Sequence, residues 1–162
     1  SNCSASLTMA IPQHPAARNP AGWMPMHHGL CLVGGNTSEI EGNGNIGGCF
    51  NGGPNLGSAA APNYGPVPGG SRNCIRCRWF VTEPHHLPAL TAHFNNLAYH
   101  FDEARNACLV RERELQTLKK RRIEAEQAGL PFADIQALRH TERVWESAMK
   151  RFSDLAEDLV AC

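Results

Sequence analysis

The chain has 162 residues, and its 15 basic and 15 acidic side chains cancel. A net charge of zero supplies no overall pull toward nucleic acid or an anionic membrane, so any such attraction must be local. No run of roughly 18 apolar residues is present, which excludes a transmembrane helix, and the N-terminus lacks the charged-then-apolar pattern of a signal peptide.

In chain order, residues 1–25 are rich in Ala, Pro and Asn, show no periodicity and read as a linker or tail. Residues 26–83 carry most of the glycine, in pairs such as Gly34-Gly35, Asn43-Gly44, Gly47-Gly48, Gly52-Gly53 and Pro68-Gly69-Gly70. These pairs permit tight turns but bring few side chains to bury. The expectation is an irregular lobe that needs a bound ion to hold it, with Leu30, Leu32, Val33, Ile46 and Phe50 as its few apolar residues.

Residues 84–162 hold most of the charge and change character. Phe94, Leu97, Phe101, Ala104, Cys108, Leu115, Leu118 and Ala125 recur at steps of three and four, a coiled-coil seam interrupted at Arg111 and Arg122. Thr82 is the expected cap of this helix, with Pro84 and Pro88 in its first turn and Gly129-Leu130-Pro131 at its end. Asp134 reads as the cap of a second helix with a seam at Ile135, Leu138, Glu142, Trp145, Met149, Phe152, Ala156 and Leu159. Two amphipathic helices joined by a short turn fold back antiparallel. The expected class is therefore mainly α, an antiparallel two-helix coiled-coil hairpin with a Gly/Cys-rich irregular zinc-binding lobe. The start at Ser1-Asn2 without Met and the stop at Cys162 within a helical pattern read as an excerpt from a longer protein.

Seven cysteines without a leader, one pair of them spaced C-x-x-C, favour a reduced compartment and a metal over a disulfide framework. Cys74 and Cys77 can reach one tetrahedral Zn2+ from a single turn. Cys31 and Cys49, each beside glycines, complete the preferred set, and His28 is the alternative ligand in place of Cys49. The competing reading is that Cys74 and Cys77 are merely buried thiols. A four-ligand site is closed and structural, with no open position for water. Of the remaining cysteines, Cys3 belongs to the tail, Cys108 to the helix seam and Cys162 to the C-terminus. His27, His28, His85, His86, His93 and His100 are scattered and read as packing or surface groups. No nucleophile–base pair or phosphate-binding glycine loop is legible, so no catalytic residue is assigned.

Arg72, Arg76 and Arg78 flank the knuckle beside Trp79 and are the candidate nucleic-acid contacts. Lys119-Lys120-Arg121-Arg122 reads as a solvated helix face balanced by Glu112, Glu114, Glu124 and Glu126.

The stretch Cys74-Ile75-Arg76-Cys77-Arg78-Trp79-Phe80-Val81-Thr82, followed by a helix containing His93-Phe94-Asn95-Asn96-Leu97, resembles the C-terminal region of large bacterial tyrosine-recombinase-type integrases, including those of the gamma-mobile-trio kind. So do Gly29-Leu30-Cys31-Leu32-Val33-Gly34-Gly35 and Cys49-Phe50-Asn51-Gly52-Gly53. The resemblance spans roughly residues 23–162 and implies a cytoplasmic bacterial protein acting in DNA integration by mobile elements. It carries the cysteines over as zinc ligands. It carries over no catalytic residue, because family chemistry uses an upstream domain and neither Tyr64 nor Tyr99 sits in an Arg/His constellation. Two functions are expected: an accessory region of a recombinase that binds DNA or orders protomers, or a zinc-ordered coiled-coil interaction module without DNA binding that forms homo-oligomers through its hairpin.

Overall fold

The computed structural model describes residues 22–39 and 47–162. Most of the tail, together with Cys3, Asn43-Gly44 and Ile46, lies outside the described residues. The elements are β1 (Met24–Met26), β2 (Gly29–Cys31), β3 (Phe80–Val81), α1 (Leu87–Gln127) and α2 (Ile135–Ala161), with short 3-10 turns at Cys49–Asn51, Cys74–Arg76 and Pro84–His86. The chain divides into two compact units, Ser1–Phe94 with Ala161–Cys162, and Asn95–Val160.

In the first unit the three strands form one antiparallel sheet in the order β1-β2-β3. Met24 faces Cys31 and Met26 faces Gly29 across a hairpin turned by His27-His28, while Leu30 faces Val81 and Cys31 faces Phe80. Pro25 is tolerated because β1 is an edge strand whose outer amide needs no partner. Gly29 is required because a Cβ there would run into the Phe80 ring. Leu32, Trp79 and Val81 are 2, 1 and 4 % exposed and form the core of the unit, with Trp23, Leu30, Val33 and Cys77 packed around them.

The glycine-rich stretch is ordered by its asparagines. Asn51 Oδ1 accepts both the Gly48 N–H and the Trp79 indole N–H at 3.0 Å. Asn55 Oδ1 accepts the Gly57 and Asn63 amides at 2.9 Å, and Asn73 Nδ2 donates to the Pro68 carbonyl at 3.0 Å. Backbone bonds between distant segments complete the frame: Leu32 N–H to Trp79 O, Cys49 N–H to Asn36 O and Val67 N–H to Cys49 O, each 2.9 Å. A short polar side chain that returns to nearby backbone supplies the partners that a glycine-rich chain cannot find in helix or sheet.

These observations correct the expected class. The first unit is not an irregular lobe awaiting an ion: it has a sheet, a buried tryptophan core and amide cross-links of its own. Its metal-type cluster at ligand distance is Glu83, His85 and His86 rather than the cysteines. The fold is mainly helical with a small sheet-bearing unit before the helices. The short strands escape sequence reading because two or three residues cannot display a period of two.

Entry into α1 also differs from expectation. Glu83, not Thr82, is the capping residue: its backbone N–H donates to His86 Nδ1 at 3.0 Å, and its carbonyl accepts the His86 N–H at 2.9 Å. Pro84 then opens the 3-10 turn, where its missing N–H is no loss.

Within the second unit, the Phe101 and Phe152 rings lie 5.0 Å apart and Cys108 Sγ is 3.0 Å from Met149 Sδ. Contacts in opposite sequence directions make α2 antiparallel to α1. Leu97, Ala104, Cys108 and Leu115 of α1 and Leu138 of α2 are buried. The helix α1 ends in a Schellman motif. Gly129 sits at φ +69, its N–H donates to Glu126 O at 3.1 Å, and the Leu130 N–H reaches Ala125 O at 2.9 Å. The Asp134 carbonyl accepts the Leu138 N–H at 3.0 Å and so starts the hydrogen-bond ladder of α2.

Candidate metal centre

Cys31, Cys49, Cys74 and Cys77 all line one cavity of about 190 Å³ in the first unit, together with Met24 and Met26. Three different elements deliver them. Cys31 ends β2, Cys49 opens its 3-10 turn, Cys74 opens the second 3-10 turn, and Cys77 follows that turn with its N–H on the Cys74 carbonyl at 3.0 Å. All four are reduced and partly exposed. Burial raises the Cys77 thiol to about 11, against the acidifying effect of the Trp79 backbone N–H on its sulfur. Burial, then the neighbouring Cys31 and Cys49, also raises Cys74. Nearby thiols resist ionisation together unless a cation joins them.

Three of the sulfurs already receive a backbone amide. Gly35 N–H points at Cys31 Sγ (3.3 Å), Arg72 N–H at Cys49 Sγ (3.4 Å), and the Trp79 amide serves Cys77. Cys74 Sγ instead meets Met26 Sδ at 3.8 Å. The four thiols are not mutually within ligand distance; among the described residues, the side chains whose ligand atoms lie within 4.8 Å of one another are Glu83, His85 and His86.

That second cluster is one that sequence reasoning misses. Glu-Pro-His-His at the root of α1 is the available signal, hidden because the histidines are scattered along the chain. His85 Nδ1 lies 3.4 Å from Glu83 Oε2, and the two imidazoles have centroids 3.9 Å apart. His86 is 5 % exposed, while His85 is open to solvent. Because His86 Nδ1 accepts the Glu83 amide, Nε2 carries the proton of the neutral ring. An ion bound here must displace that amide or that proton, whereas Glu83 and His85 are directly available.

His28, the alternative ligand, does not line the thiol cavity. Its ring stands 5.1 Å from Phe80 and 5.3 Å from His93, and burial followed by His93, His27 and His86 depresses its pKa. Of the three arginines, Arg78 is built into the unit. Its guanidinium carbon is 3.5 Å over the Tyr64 ring and 3.9 Å from the Trp79 ring, and Nε donates to Asn51 O at 2.9 Å. Arg72 is exposed with φ +70, and Arg76 lies in the Cys74–Arg76 turn. On α1, Lys120 and Arg122 pair with Glu124 and Glu126 one turn ahead, at 3.9 and 2.9 Å. Arg111 pairs with Glu114 of its own helix at 2.8 Å.

No family model, curated protein or solved structure matches the chain. Among the described residues, no helix is long and apolar enough to cross a membrane.

Proposed function

We propose that the chain is a metal-bearing protein-interaction module that acts through its paired helices and not by gripping DNA. One observation carries this reading. The Asn95–Val160 unit leaves Tyr99, Leu109, Val110, Ile123 and Met149 between 39 and 62 % exposed, while only one narrow stripe of α1 and Leu138 of α2 are buried. Two helices cover one another from a single side, so Trp145, Phe152 and Leu159 are only partly buried. A second copy of the chain presents the same apolar faces and covers them by two-fold symmetry, which makes a helical bundle of two hairpins.

The ion in this reading is Zn2+, the metal whose preferred donors are the thiolates and imidazoles that the first unit offers. Arg78, one of the three candidate nucleic-acid contacts, is held against two aromatic rings instead of reaching outward, which supports protein over DNA as partner.

Sedimentation of the metal-loaded chain, with and without duplex DNA, tests the proposal. The expected result is a dimer that is indifferent to DNA and is lost in Val110→Glu or Ile123→Glu. A monomer at all accessible concentrations, or duplex binding that weakens steeply with salt, would overturn it.

A further inference from the structure

We infer that Cys31, Cys49, Cys74 and Cys77 are the four ligands of a single Zn2+ ion, and that the turns around them are shaped to aim backbone amides at their sulfurs. The assignment rests on the metal-bearing reading above and names the site that reading requires.

The case is geometric. Four cysteines separated by as much as 46 positions in sequence line one cavity, whose other sulfur-bearing walls are Met24 and Met26. Apolar packing alone does not call for amides directed at thiols, yet two turns do this through left-handed backbone. Gly34 and Gly35, at φ +64 and +74, swing the Gly35 N–H onto Cys31 Sγ. Arg72, at φ +70, is the one non-glycine residue with positive φ among the described residues, and its N–H lands on Cys49 Sγ. A side-chain-bearing residue resists that conformation, so something in the native state must favour it. An amide hydrogen bond to sulfur is worth most when the sulfur is a thiolate, which is the form a metal imposes. Arg72 also lines the cavity and brings a positive charge to a centre that four thiolates and one Zn2+ would leave at minus two.

A tetrahedral ion with Zn–S bonds of about 2.3 Å sets its sulfurs about 3.8 Å apart, so binding draws the four turns inward. The glycines flanking Cys31 and Cys49 give those turns their freedom to close. Gly52 marks the limit on the other side, since a Cβ there would stand 2.5 Å from Cys77 Sγ.

The test is metal analysis and Co2+ substitution of the full chain. The expected result is one ion per chain, and a cobalt form with a strong sulfur-to-metal charge-transfer band and tetrahedral d–d bands. Each of Cys31→Ser, Cys49→Ser, Cys74→Ser and Cys77→Ser should lower the charge-transfer intensity by about a quarter or abolish binding, with Cys108→Ser and Cys162→Ser unchanged. A cobalt form without charge transfer overturns the assignment whether or not any variant folds. So does metal binding that survives Cys31→Ser and Cys77→Ser but is lost in Glu83→Gln and His86→Gln. Because the spectrum reads ligands within one chain, a monomer that shows it would refute the interaction reading and leave this site standing.

Discussion

Replacing Trp79 by Ala separates a unit held by its own core from one held by an ion. The indole is 1 % exposed, donates to Asn51 Oδ1 at 3.0 Å and lies beneath the Arg78 guanidinium at 3.9 Å. Truncating a buried Trp costs about 3–5 kcal/mol. The lost indole hydrogen bond and cation–π contact each account for about 1 kcal/mol within that range. Asn51 Oδ1 keeps the Gly48 amide, so no orphaned acceptor adds to the cost. A small unit has about 5 kcal/mol of total stability, so the substitution removes most of it. The assay is urea unfolding followed by Trp23 fluorescence in a Trp145→Phe background, because Trp23 packs against the same cluster. The midpoint should fall by about 2 M or more, taking a slope near 1–1.5 kcal/mol/M, and excess Zn2+ should not restore it. An unchanged midpoint in metal-loaded Trp79→Ala, together with unfolding of the unaltered chain by chelator, would refute the assignment of order to the core.

Leu138 is 3 % exposed, and Leu138→Ala should destabilise the helical pair by about 2–4 kcal/mol, lowering its melting temperature by about 10 °C or more by circular dichroism. Gly129→Ala meets no atom within 4 Å but must hold φ +69; the expected loss is about 1–2 kcal/mol in the same melt, and an unchanged melt would show that the cap does not depend on the left-handed residue. His28 titrates below its ordinary value in the fold, so the unfolded chain binds the proton more readily. Stability of the first unit should be complete above pH 6.5 and decline as pH falls from there through the folded pKa, a slope that His28→Gln should flatten in pH-dependent denaturation.

Much about the helices is legible in the sequence. Positions three and four apart share a face on any helix, so Leu97, Ala104, Cys108, Leu115 and Leu138 declare themselves as seam residues, and Gly129 as a stop, by local geometry alone. The C-x-x-C spacing likewise marks Cys74 and Cys77 as a pair because one turn separates them. The cap lies one residue beyond Thr82 because the Glu83 backbone is satisfied by the His86 ring, a partner that no propensity scale encodes.

What the amino-acid order could not reveal is how the glycine-rich half holds itself together. Its bonds join residues far apart in sequence, from Asn51 to Trp79, Leu32 to Trp79 and Arg72 to Cys49, and such partners are chosen by chain closure rather than by neighbours. Local pattern determined the helices, their seam and the paired cysteines. Tertiary structure decided that a tryptophan and a set of asparagines order the first unit, that His28 turns away from the thiols, and that Glu83, His85 and His86 come together. The division follows range: a helix satisfies its backbone within four residues, whereas a glycine-rich chain must find its partners across the whole fold.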